Sequence, residues 1–211
     1  MRIFAVRLVA SALLCSLGIA TATPQKPAPD KYQTLVARLK QGDKTVDFLE
    51  LRRAFADSPE YTSGSDDDLR KAMFSAYHQG DFTQALAISK KILDGYYLDI
   101  EAHQIAYLCD RQLQIQAEAD FHHEIAHGLI SAILHSGNCR TREAACEVLS
   151  IHEEYVVLQV LGLNPGSQSL QAQDGHRYDV LDAMDPKAQA DVTLYFNVDK
   201  PLGYLEKTLA K

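Results

Sequence analysis

Gly80-Asp81-Phe82-Thr83-Gln84-Ala85 is answered 34 residues later by Gln114-Ile115-Gln116-Ala117-Glu118-Ala119. Each hexapeptide lies between two segments of apolar helical spacing, so the recurrence reads as a turn between two helices, used twice. A unit of this kind cannot bury its apolar face alone. Successive units must stack, and most of the architecture follows from that. Ala85 and Ala119 supply the small side chain that lets the two helices of a unit approach closely.

Around this repeat the helical spacing continues in both directions. Tyr32, Leu35, Val36 and Leu39 recur on one face, and Val46, Phe48, Leu49, Leu51 and Phe55 resume after a break at Gly42. Ser65 with Asp68 makes a capping-box pattern at the start of a helix expected to reach about Gln79. Asp99 opens the next pair, whose second helix should run from about Ala117 to Leu134. The interval is that of the tetratricopeptide type, and the region from 31 to 136 is expected to be a tetratricopeptide-like stack of antiparallel helix pairs. Gln114 stands where such turns usually carry glycine. Two units are fewer than the roughly three a stable stack needs, so another part of the chain must cover an exposed end.

The C-terminal part, 137 to 211, is suited to that task. Ser150 and Glu153 form a second capping-box pattern, and Ile151, Tyr155, Leu158 and Leu161 share a helical face until Gly162 and Pro165. Then the period changes. Residues near Leu170 to Gln173 and Tyr178 to Leu181 flank Asp174-Gly175, a strong hairpin signal. Val192, Leu194, Phe196 and Val198 alternate with Thr193, Tyr195, Asn197 and Asp199. The expected fold class is therefore α+β: an N-terminal helix-pair stack capped by a small three-stranded antiparallel meander.

Arg2 and Arg7, the apolar run Leu8 to Ile19 and Ala20-Thr21-Ala22 have the order of a secretory signal peptide over 1–22, cleaved after Ala22. The run is too short for a membrane span, and Leu14 occupies the place where lipid modification of Cys15 would want a small residue. Pro24, Pro27 and Pro29 make 23–30 a tether. Export to the periplasm, or beyond it to the medium, is the expectation. Loss of Arg2 and Arg7 takes the formal charge from −7 to −9, and no basic cluster is left to engage nucleic acid. Export also permits disulfides. Cys139 and Cys146 flank a turn-like stretch and are the candidate pair, while Cys109 lies in an apolar helical run as a buried thiol.

Several short segments in order carry a resemblance to a known family. They are Val46-Asp47-Phe48 with Leu51-Arg52, Gly80-Asp81-Phe82, Asp99-Ile100-Glu101-Ala102-His103, Glu153-Glu154-Tyr155, Tyr178-Asp179 and Tyr195-Phe196-Asn197-Val198-Asp199. At these residues the chain, from about Tyr32 to Pro201, resembles an uncharacterised bacterial family, domain of unknown function 4919. The resemblance implies a secreted helical domain followed by a small β region. It brings no activity, substrate or catalytic residue with it.

His123-Glu124-Ile125-Ala126-His127 matches the HExxH pattern of zinc peptidases, in which two histidines four apart hold the metal and the glutamate activates water. Glu147 could serve as third ligand, with His152 or Tyr155 as oxyanion stabiliser. The repeat offers another reading. Counted from Ala119, His123 and Ala126 fall at positions packed against the partner helix, and His122-His123 extends the histidine-rich side of that helix. Ile151 stands where such peptidases place the aspartate that orients a ligand histidine. There is no phosphate-binding glycine loop, and Gly166-Ser167-Gln168-Ser169 lacks the last glycine of a nucleophile elbow. The leading expectation is thus a non-enzymatic module, without cofactor, that binds an unidentified protein or peptide. The alternatives are a zinc hydrolase using His123, Glu124, His127 and Glu147, and a structural protein of the envelope.

Overall fold

Five aspartates start the first five helices. The computed structural model describes residues 30–210, so the leader expected over 1–22 and the tether residues 23–29 lie outside the described residues. Helices α1 (Lys31–Lys40), α2 (Phe48–Asp57), α3 (Asp67–His78), α4 (Phe82–Gly95) and α5 (Ile100–Gln112) follow Asp30, Asp47, Asp66, Asp81 and Asp99. Each carboxylate accepts backbone N–H groups of its helix's first turn, which otherwise have no intrahelical acceptor. The cap of α3 is Asp66, not the expected Ser65. Asp66 accepts from Asp68 and Leu69, leaving no role for a capping box.

The recurrence read in the sequence is a recurrence of geometry. At the end of α3, the N–H of Gly80 meets the Tyr77 carbonyl and that of Asp81 meets Ala76, both at 3.0 Å. At the end of α5, the N–H of Gln114 meets Arg111 at 3.2 Å and that of Ile115 meets Asp110 at 2.8 Å, each donor and acceptor displaced by 34 residues. Gly80 and Gln114 are both left-handed, with φ of 78° and 61°, so the glutamine adopts a conformation that glycine would hold at less cost. Ala85 and Ala119 are fully buried at the close approaches of α4 and of α6 (Gln116–Ser136). Helix α1 packs on α2, α3 on α4, α4 on α5 and α5 on α6, and α2 also crosses α6. At that crossing Gly128 is required, because a methyl group there would overlap the Phe48 ring.

The C-terminal part is a mixed sheet rather than the expected all-antiparallel meander. Its strands are β1 (Cys146–Glu147), β2 (Asn164–Gln173), β3 (His176–Asp185) and β4 (Ala190–Asn197), in spatial order β1-β4-β3-β2. The three longer strands are antiparallel to one another, with Asp174-Gly175 as the first hairpin turn. The added strand, β1, runs parallel to β4. It comes from a loop in which Cys139 and Cys146 are joined as a disulfide, with Cα atoms 4.8 Å apart, while Cys109 is a buried free thiol. Helix α7 (Ile151–Leu161) precedes β2, and α8 (Asp199–Leu209), which the strand alternation had concealed, follows β4.

Arg52 of α2 ties the two parts together. Its guanidinium grips both oxygens of Glu153 on α7, at 2.5 and 2.9 Å, and also donates to the Glu147 carbonyl of β1 at 2.9 Å. Both side chains are almost wholly buried. Glu153 also accepts the Leu149 N–H at 2.7 Å, and Ser150 makes no side-chain cap, so the expected Ser150–Glu153 box is replaced by this link. Removing one member of a buried pair strands the other charge in a medium that solvates it poorly. Arg52→Ala is therefore expected to lower stability by about 3–5 kcal/mol, read as a shift of the urea midpoint. Arg52→Met combined with Glu153→Met should recover a large part of that loss.

Candidate functional site

A cavity of about 820 Å³ lies along α3, α5 and α6 and ends at Gln159 and Val160 of α7. The helical repeat builds it. Phe74 and Tyr77 form one wall, Ile105 and Leu108 the floor, and Ala126, Ile130 and Leu134 the other wall. Polar groups punctuate this apolar surface: Tyr107, Gln104, Ser131 and four of the chain's eight histidines, His78, His123, His127 and His135. The sole carboxylate, Glu101, is neutralised by Arg70, whose guanidinium lies over the Phe74 ring at 5.1 Å. A largely apolar concavity with a few polar groups, within the range of about 300–1,000 Å³, is the ordinary form of a binding site.

His123 and His127 both open into this groove, with ring centroids 6.4 Å apart and the Tyr107 ring 4.8 Å from His123. The other residues of the proposed metal set go elsewhere. Glu124 leaves the opposite side of α6 and pairs with Lys44 of the α1–α2 connection at 2.9 Å, beside a separate cavity of about 190 Å³. Glu147 borders a third cavity, of about 260 Å³, with Arg52 and Asn197. His152 faces Asp67 at 3.4 Å, and the Tyr155 hydroxyl donates to Gln168. Among the described residues no group of three or more His, Cys, Asp and Glu is placed to hold a metal ion.

The packed histidine is His122, not His123. The inward positions of α6 after Ala119 are His122, Ile125 and Ala126, so the helix turns its face three residues on rather than four, and His123 is left to the groove. His122 meets His103 of α5, Nδ1 to Nδ1 at 2.9 Å, and Nε2 of His103 lies 2.9 Å from the Tyr97 carbonyl. A carbonyl only accepts, so the His103 proton is on Nε2 and its Nδ1 receives the proton of His122. Burial holds both imidazoles neutral and pushes their pKa values down, to about 3 for His103 and about 4 for His122. His103 also feels His122 and Lys40; His122 faces Glu118 and Lys90.

A second buried acid–base feature went unread in the sequence. Glu154 of α7 is fully buried, neither of its oxygens has a hydrogen-bond partner, and burial, then Asp179 and Glu153, raises its pKa to about 9. Asp179 of β3, also buried and raised by burial, accepts from Gln168 of β2 at 2.6 Å.

These groups give stability two pH flanks. The histidine contribution is complete above about pH 6.5 and is lost as pH falls toward 4, because the unfolded chain takes protons first. The Glu154 contribution is complete below about pH 4.5 and is lost as pH rises toward 9, because the folded chain keeps a proton the unfolded chain gives up. Between pH 7 and pH 9 the urea midpoint should fall in the wild type and fall less in Glu154→Gln. Glu124→Gln, in contrast, removes half of an exposed ion pair and should change stability by no more than about 0.5 kcal/mol. Near-equimolar zinc in chelator-free protein, with stability that falls on adding a chelator, would contradict that expectation.

The comparisons with known proteins agree with the segments that carried the resemblance. No curated protein and no solved structure matches the chain. The family model described as domain of unknown function (DUF4919) matches residues 22–207, nearly the whole sequence. By that match, the chain belongs to the DUF4919 family.

Proposed function

We propose that this protein is a non-enzymatic binding module, exported to the periplasm, whose tetratricopeptide-like helix pairs hold a helical segment of another envelope protein in the groove of α3, α5 and α6. The observation that carries this reading is the groove itself: about 820 Å³ of mostly apolar surface that the protein's own β region leaves uncovered. That openness favours a binding role over a purely structural one.

The character of the lining selects the occupant. Only helices border the groove, so it offers side chains and no sheet edge. An extended peptide would bury backbone amides without partners, whereas a helix satisfies its own and needs only an apolar stripe. With Glu101 already paired to Arg70, no fixed charge of the lining is left to demand a charged ligand. The histidine, tyrosine and glutamine side chains then supply orientation at the edges of an apolar contact.

A photo-crosslinking side chain at Ile130, on the groove wall, should capture a polypeptide from envelope extracts. The same probe at Thr208, exposed on α8, should not. Leu108→Glu in the Ile130 probe protein should abolish capture by placing a carboxylate on the floor. Equal labelling from both positions, or capture that survives Leu108→Glu, would refute the proposal.

A further inference from the structure

The outer edge of the sheet carries a second surface, separate from the groove. Strand β2 pairs only with β3, and among the described residues nothing bonds to the backbone on its other side. Which residues face outward follows from the register. The Arg177 carbonyl accepts from Val198 at 3.0 Å and the Arg177 N–H donates to Asp199 at 2.8 Å, so the backbone of Arg177 is turned toward β4. Its partner in β2, Ala172, is therefore in a non-hydrogen-bonded pair, and alternation puts Leu170 and Gln168, opposite Asp179 and Leu181, in the same class. The N–H and C=O groups of Gln168, Leu170 and Ala172 point out of the sheet.

Edge strands are usually blunted by charge, proline or a bulge. Here Pro165 and the bulge before Gln168 interrupt only the beginning of the strand. From Gln168 to Gln173 there is no charged residue, and Leu170 is 60% exposed.

We infer that this edge pairs with the same edge of a second copy, β2 to β2, antiparallel about a twofold axis at Leu170. Three observations fit one another. The outward-facing residues, Gln168, Leu170 and Ala172, are symmetric about Leu170, so a twofold there pairs Leu170 with its equivalent and Gln168 with Ala172 in register, each pairing exchanging both backbone bonds. The same operation sets the exposed leucine against its copy and the long glutamine across from the small alanine. In a chain of net charge −7, an uncharged edge strand also meets its own copy without direct like-charge contact.

A single strand pairing buries little surface, so the dimer is weak and depends on concentration. Sedimentation equilibrium of the purified protein should show a mass rising from one copy toward two as concentration increases. Leu170→Pro removes an outward N–H and leaves the β3 ladder intact, so it should remain a monomer at every concentration with an unchanged circular dichroism spectrum. Should that variant fail to fold, Leu170→Lys sets two positive charges across the axis and should equally abolish the dimer. Leu170→Cys places two sulfurs on residues whose Cα atoms lie about 5.5 Å apart, inside the disulfide range of about 4.4–6.8 Å, and should form a covalent dimer on oxidation. Ser169→Cys, opposite Gln171 of the copy, should not. A wild-type monomer at all concentrations with no Leu170→Cys dimer, or a dimer that survives both Leu170→Pro and Leu170→Lys, would overturn the inference. So would a strand of another protein found on this edge while the purified chain stays monomeric.

Discussion

The buried pair of Arg52 and Glu153 is the constraint around which the two halves of this molecule are arranged. A guanidinium and a carboxylate withdrawn from water cost several kcal/mol each, and only close bidentate geometry with every remaining polar atom engaged offsets that. Here the engagement is wide: Glu153 also takes the Leu149 amide, and Arg52 also donates to the Glu147 carbonyl. One ion pair thereby fixes the position of α2, the entry of α7 and the register of β1. Three of the segments that carry the family resemblance lie beside it. Asp47 caps the helix that carries Arg52, Glu153 and Glu154 are adjacent on α7, and Asn197 ends the strand beside β1.

Polarity in the interior is concentrated rather than spread. Between α5 and α6, His103 and His122 satisfy one another with neutral rings, so the two helices are joined by a directional bond as well as by packing. Glu154 keeps its proton because burial disfavours the carboxylate and Asp179 lies nearby. Such groups allow few alternative packings, so α5 and α6, which line the groove, are held in one arrangement.

Local signals in the sequence were legible and distant ones were not. The helix start at Asp99, the small residues at Ala85 and Ala119, the Asp174-Gly175 turn and the alternation of β4 all depend on near neighbours, and each stands where the spacing put it. The two-residue β1 has no period to read, and its partner lies some fifty positions later. Helix α8 was masked by Pro201 and Gly203, yet a proline in the first turn removes only an N–H that has no intrahelical acceptor anyway. The HEIAH segment shows the same limit on a finer scale. Its spacing puts His123 and His127 on one face, as expected, but that face opens on the groove, and the direction taken by Glu124 depended on Lys44, far off in the chain.

From α4 to α6 every helix rests on the one made just before it, so the chain can fasten each to its predecessor with only short loops to close. Arg52 and Glu153 are separated by 101 residues, and the entropy of bringing them together is correspondingly greater. Proteins dominated by neighbouring contacts reach their native arrangement faster than those that wait on distant ones. The order of assembly is thus written into the spacing: the helical stack can accumulate while synthesis is still under way, and the long-range clasp locks it once the last third of the chain arrives.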